Sequence, residues 1–242
     1  MSESLLVSRL ITLALAFALA TPLYGFDWPV QKVTITSTFG ESRGDHFHGG
    51  IDLGGGEQDV LPIAEGELVF AHEAAYSLSG LPVGLGNYVI LQHQGGVRSL
   101  YAHLKDASVD PQRRQYDRGT RLGVVGSSGY SSGKHLHLSI LDSEMGTIIN
   151  PLLLLPALPD RQKPVLRGLF LSDGRQQFPL GGKSSVGVRA GAYELLGEVF
   201  DLRPEVSFVW RLAPYRVFLY QDGREVFRLT RASPPLRADP GR

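Results

Sequence analysis

Cysteine is absent from the 242-residue sequence. Its absence excludes disulfides, thiolate metal sites, a cysteine nucleophile and a lipid anchor attached at a cysteine. Any bound metal must therefore be held by histidine and carboxylate side chains. Net charge is absent as well: 24 Lys+Arg balance 24 Asp+Glu, and no long like-charge run occurs. That balance leaves no electrostatic footprint for nucleic acid or for an anionic membrane. No stretch reads as a convincing amphipathic helix; residues 106–117 are polar and hold Pro111. Short segments punctuated by glycine, which occurs 29 times, argue instead for an all-β chain. A hydrophobic content of 43% suffices for a real core, and the length suits one large or two small domains.

One long apolar run is present, from Leu10 to Ala20. It is shorter than the ~20 residues a membrane-spanning helix needs. Its small-residue ending, Ala18-Leu19-Ala20, fits a secretory signal. Residues 1–25 are expected to be a signal peptide, with the mature chain beginning near Phe26. The mature protein is then expected in the periplasm, the cell envelope or the extracellular space, with no stable membrane span after cleavage.

Strand signals begin at Val33–Phe39, which alternates and is β-branched. Further candidates are Asp59–Ala64, Gly66–His72, Gly86–His93, Val97–Leu104 and Leu122–Val125. Gly133–Ile140 reads with a period of two: His135, His137 and Ser139 on one face, Leu136, Leu138 and Ile140 on the other. Upstream, His48 and Asp52 are an even number of residues apart in a glycine-rich segment expected to be extended, so they should point the same way. Ser99–Leu104 alternates in turn, which would put Tyr101 and His103 on one face. Gly126–Gly133 is a small-residue loop that would let backbone pass close to a substrate. It is not a Walker loop, because Lys134 is followed by His135.

A catalytic zinc site takes three protein ligands from His and Asp/Glu and keeps one position open. His48, Asp52 and one histidine of the His135/His137 pair fit that count. Bound metal would lower the pKa of water toward ~7 and polarise a carbonyl. The two remaining histidines could accept the water proton and donate to an oxyanion or a leaving amine. Asp45 and His46 read as a solvated loop, and His72 and His93 as ordinary strand residues.

From about residue 36 to 153 the sequence resembles the lysostaphin/LytM-type zinc metallopeptidases, which cut peptide bonds in bacterial peptidoglycan. The resemblance rests on ordered pieces: Ser37-Thr38-Phe39-Gly40, His48-Gly-Gly-Ile-Asp52-Leu53, Gly86-Asn87-Tyr88-Val89-Ile90, Tyr101-Ala102-His103-Leu104, Gly126–Gly133, His135-Leu-His137 and Asn150-Pro151. It implies a compact antiparallel β-sheet domain with Zn2+ in a groove, held by His48, Asp52 and His137. It implies His103 and His135 as the catalytic pair, and an endopeptidase acting on peptidoglycan peptide cross-links through a zinc-activated water. Some relatives have lost ligands and only activate other wall hydrolases; that is the alternative, and here all five positions are filled. The sequence departs from the family at Ser139, where a carboxylate is frequent, and in the insert Leu78–Leu85.

The remaining organisation is expected as follows. The peptidase-like domain covers 26–156, a proline- and charge-rich linker 157–164, a small immunoglobulin-like β-sandwich region 165–230, and a disordered tail 231–242. Within the third part, Asp222-Gly223 marks a hairpin turn.

Overall fold

A computed structural model describes residues 25–73, 84–110, 112–181, 187–202 and 211–232. Nearly all of the expected signal peptide, most of the 78–85 insert and most of the tail lie outside these residues. Most of the expected segments become strand, although Val33–Phe39, Asp59–Ala64 and Leu122–Val125 do so only over shorter stretches. The strands of the first domain are β1 (Thr34–Ser37), β2 (Ile51–Gly54), β3 (Asp59–Val60), β4 (Gly66–His72), β5 (Asn87–Gln92), β6 (Val97–Leu104), β7 (Gln115–Tyr116), β8 (Gly123–Val124), β9 (Leu136–Asp142) and β10 (Thr147–Ile149).

Eight of them form one sheet in the order β1-β2-β9-β6-β5-β4-β7, with β10 pairing Ile140–Asp142 of β9 beyond the end of β2. Every pairing in it is antiparallel. The protein is all-β, with this compact antiparallel sheet as its centre. β3 and β8 pair separately.

The core lies against one face of the sheet. Ile51, Leu53, Val89, Leu91, Tyr101, Leu136, Leu138 and Ile140 are fully buried there. The period-two reading of β9 therefore holds: its leucines and isoleucine fill the core, and the alternate side chains go to the opposite face. Register carries that opposite face across three strands. Asp52 of β2 stands opposite His137 of β9, and His137 stands opposite Ala102 of β6.

Beyond the linker, β11 (Val165–Ser172), β12 (Gln177–Leu180), β13 (Glu194–Leu202) and β14 (Arg211–Leu212) form a four-stranded antiparallel sheet. β15 (Arg216–Gln221) and β16 (Arg224–Thr230) form a hairpin. Its turn has positive φ at both Asp222 and Gly223, the left-handed pair that an Asp-Gly turn supplies. Among the described residues no pairing joins this hairpin to the sheet, and Leu166, Val226 and Phe227 are exposed. An immunoglobulin-like sandwich is not supported by them. Leu212 instead packs into the core of the first domain.

His93 is a core residue. Its Nδ1–H donates to Glu65 O at 2.8 Å, and its Nε2 lies 2.6 Å from Ser99 Oγ. Ser99 Oγ is in turn 2.9 Å from the Tyr101 hydroxyl, which accepts from Ile63 N at 2.8 Å. Burial holds the His93 imidazole below its ordinary value of 6.5. A basic group with a lowered folded pKa contributes its full stability above the unfolded value and loses it as pH falls below that value. His93→Leu should therefore cost about 1–3 kcal/mol at pH 7.5, through the unpaired Glu65 carbonyl and Ser99 hydroxyl. It should also lose less stability than the parent between pH 7.5 and 5.5 in urea unfolding. Parallel pH profiles for the two proteins would contradict this.

Candidate metal centre and its flanking histidines

Asp52 sits in β2 and His137 in β9, and their facing register brings Asp52 Oδ1 and His137 Nδ1 to 2.9 Å. His48 precedes β2 and is separated from it by Gly49 and Gly50, so it lies outside the strand. The chain still carries His48 Nε2 to 3.0 Å from Asp52 Oδ1 and 3.0 Å from His137 Nδ1. The three ligand atoms form a nearly equilateral triangle. A tetrahedral zinc with ligands at about 2.0–2.1 Å has edges of roughly 3.3 Å, so the triangle matches one face of that tetrahedron.

The hydrogen-bond partners fix which atoms carry lone pairs. Thr38 O can only accept, so His48 Nδ1–H donates to it at 2.9 Å and Nε2 is left free. Ser139 Oγ donates to Gly49 O at 2.8 Å and accepts from His137 Nε2–H at 2.9 Å, leaving Nδ1 free. Two imidazole lone pairs and a carboxylate oxygen thus converge on one point. Without a cation they would repel one another, and a metal ion is the group that such a donor set suits. Ser139 thus orients the His137 ring with a hydroxyl relay to backbone.

Burial raises the Asp52 carboxyl, and a proton on the facing nitrogen of His137 or His48, standing where a cation would, hydrogen-bonds it and holds it well below the carboxylate range. The second Asp52 oxygen faces Arg43, with Nη2 at 3.3 Å. Burial, the main cause, holds His137 below its ordinary value, which keeps it neutral near pH 7.

His103 and His135 lie beside the triangle. Their rings are 4.7 Å apart, His103 is 6.1 Å from the His137 ring, and His135 Nε2 is 3.8 Å from Asp52 Oδ1. His103 Nδ1–H donates to Ser128 O at 2.8 Å, and His135 Nδ1–H donates to Gly133 O at 2.9 Å. Each ring is thereby held through Nδ1, and in its neutral form Nε2 carries the lone pair. Burial pushes His103 down to about 4.

Strand alternation does not explain how His103 reaches the site. Tyr101 points into the core, opposite Leu138, so His103 two residues on should follow it there. The β5–β6 register slips between Asn87/Val89, and His103 takes φ 60°. A bulge and a left-handed backbone re-aim the side chain, the kind of local strain that recurs at functional sites. The expectation that Tyr101 and His103 share a face is corrected accordingly.

The 126–133 loop also supports the site from behind. Its close backbone approach is to the chain at Gly86: a Cβ on Gly129 would lie 2.3 Å from Gly86 N. That contact fixes Ser128, whose carbonyl orients His103 and whose hydroxyl accepts from Asn87 N at 2.8 Å. All five residues singled out in the sequence come together. His46 pairs with Asp45 in solvent at 2.6 Å. Ser37, Thr38, Glu41 and Arg43, which border the centre, carried no spacing signal, because their contacts are made by a turn and not by a strand period.

Residues 46–151, which hold this centre, match Peptidase family M23. The murein hydrolase activator NlpD of Escherichia coli is 33% identical over 138 residues, which is 57% of this chain and 33% of that protein. The cell division protein DipM of Caulobacter vibrioides is 29% identical over 60% of this chain and 21% of its own length. The DD-carboxypeptidase/endopeptidase Mpg of Neisseria meningitidis is 32% identical over 45% of this chain and 24% of its own. The chain thus spans a third or less of these relatives. Among solved structures, a zinc-containing peptidase from Vibrio cholerae superposes with a TM-score of 0.45 and 23% identity, over 56% of this chain and 41% of that one. The catalytic domain of lysostaphin from Staphylococcus simulans gives 0.40 and 23%, over 51% and 90%.

Gly50 makes the closeness of β2 and β9 possible. A Cβ there would lie 2.3 Å from Leu138 O, 2.8 Å from Ser139 Oγ and 2.9 Å from His137 Cε1. Gly50→Ala should cost about 1–3 kcal/mol as an overpacking change. It should also weaken metal binding, because the added methyl displaces the His137 ring. Thermal unfolding with and without zinc measures both. A Gly50→Ala protein with unchanged zinc-induced stabilisation would contradict the geometry.

Proposed function

We propose that this chain is an exported zinc-dependent endopeptidase that hydrolyses peptide cross-links in bacterial peptidoglycan. The observation that carries the reading is the convergence of His48 Nε2, Asp52 Oδ1 and His137 Nδ1 within about 3 Å, with His103 and His135 beside them. The peptidoglycan substrate is supported by the relatives, whose names refer to murein and to DD-carboxypeptidase/endopeptidase activity. Export is supported by the apolar run ending at Ala20.

His48, Asp52 and His137 would hold the ion. Zinc bound there supplies a Lewis acid that polarises a carbonyl and acidifies water. The protein's own groups do the remainder. His103, kept unprotonated by burial and held by Ser128 O, presents Nε2 as the base for the water proton. Having taken that proton, an imidazole becomes the donor that the leaving amine requires. His135, held by Gly133 O and Ser131 Oγ, stands beside His103; in its protonated form its Nε2–H would donate to the tetrahedral oxyanion. Arg43 keeps Asp52 oriented through the oxygen that faces away from His48.

The competing reading is a non-catalytic activator of other wall hydrolases, favoured by the name of the relative at 33% identity. The complete set of five groups favours catalysis. The two readings part on turnover. The parent chain should release cross-link-cleaved muropeptides from purified sacculi, read by mass. His137→Ala should lose both zinc and turnover. His103→Ala should keep zinc and lose about 10²–10⁴-fold in rate. Zinc binding with no cleavage of any wall type would favour the activator.

A further inference from the structure

The turn between β1 and His48 is held from two sides. On the site side, Thr38 O accepts from His48 Nδ1–H at 2.9 Å, Gly40 N donates to His48 O at 2.8 Å, and His48 N donates to Glu41 O at 2.8 Å. The turn therefore fixes both the ring orientation and the backbone of this ligand. Glu41 is the knot. One carboxylate oxygen accepts from Thr38 N at 2.7 Å and Thr38 Oγ1 at 2.8 Å, and the other accepts from Ser37 Oγ at 2.5 Å.

On the far side, the turn is gripped by the C-terminal region. Ala213 N reaches Thr38 Oγ1 at 3.1 Å and Glu41 Oε1 at 3.3 Å. The Arg231 guanidinium donates to Pro214 O at 2.6 Å and to Gly40 O at 3.3 Å, which ties the hairpin strand's end to the same turn. Gly40, at φ 76°, leaves room for this: a Cβ there would lie 3.1 Å from Arg231 Cδ. Asn150 closes the grip, its Nδ2 donating to Arg231 O at 2.7 Å and its backbone N to Ala232 O at 2.9 Å. The contact is a polar clasp and not a sealed interface. A cavity of about 520 Å³ opens beside it, lined by Trp28, Thr38, Leu212, Ala213 and Tyr215 among others.

We propose that the C-terminal region is a positioning element for the metal centre: Ala213 and Arg231 hold the Thr38–Glu41 turn, and the turn holds His48. The proposal rests on the reading of His48 as a metal ligand. It makes the accessory region part of the ligand's support, two contacts removed from the ion. Releasing the clasp leaves His48 in place in the chain but free to rotate. Partners that orient a metal-ligating histidine typically contribute 10–100-fold to affinity or activity.

The test is the zinc affinity of the full chain, measured by competition with a chromophoric chelator, alongside the melting temperature of the zinc-free protein. Arg231→Ala touches no ligand and should weaken zinc binding about 10-fold. Glu41→Ala should weaken it by about 10–100-fold. Glu41→Gln keeps one acceptor oxygen for Thr38 and Ala213 and should recover most of that loss. A merely structural role would lower the zinc-free melting temperature without moving affinity. Should Glu41→Ala fail to fold, Arg231→Ala decides alone. Parent-like zinc affinity in the folded Arg231→Ala protein overturns the proposal. His137→Ala separates the two levels. If the parent binds zinc, His137→Ala does not, and the clasp variants match the parent, only this inference falls. If the parent binds no zinc at all, the metal reading falls and takes this inference with it.

Discussion

Two imidazole lone pairs and one carboxylate oxygen meet within about 3 Å in the middle of this protein, and most of its first domain can be understood as what holds them there. Such a convergence is unfavourable on its own, because every group in it is an acceptor. It persists because the sheet over-determines it. Leu136, Leu138 and Ile140 anchor β9 in the core, Ile51 and Leu53 anchor β2, and glycine at position 50 lets the two strands approach. The polar faces of the same strands then have no choice but to meet. The outer hydrogen bonds, donated to Thr38 O and Ser139 Oγ, decide which nitrogen of each ring faces inward.

Around that fixed point the protein uses irregular backbone. His103 reaches the site only through a register slip and a left-handed φ, and a tight glycine contact at Gly86 and Gly129 holds the carbonyl that orients it. Regular sheet places Asp52 and His137, a turn places His48, and a bulged stretch places His103. A bulge aims a side chain in a direction the pleat does not offer.

The sequence made the sheet legible because several strands alternate and glycines mark their ends. The β4 and β6 boundaries, the face of β9 and the Asp-Gly hairpin all follow from local pattern. The convergence of His48, Asp52, His103, His135 and His137 was legible through the order of their motifs, since no single pair of histidines identifies such a cluster. Three things were not legible. The bulge at His103 is a tertiary effect, and a period of two places that residue wrongly. The roles of Ser37, Thr38, Glu41 and Arg43 arise in a turn, where sequence spacing does not fix which groups meet. The attachment of the C-terminal region to that turn joins residues 172 to 191 positions apart, such as Ala213 with Glu41 and Arg231 with Gly40.

The central claim is that His48, Asp52 and His137 together bind one zinc ion. Zinc-edge X-ray absorption on the purified, zinc-loaded full chain tests it most directly. The account expects one zinc per chain in a four-coordinate nitrogen/oxygen shell at about 2.0–2.1 Å, with two imidazole scatterers. His48→Ala and His137→Ala should each remove one imidazole or the metal altogether, and His103→Ala should leave the spectrum unchanged. An unaltered spectrum in the His48 or His137 variants, or loss of an imidazole in the His103 variant, would contradict it.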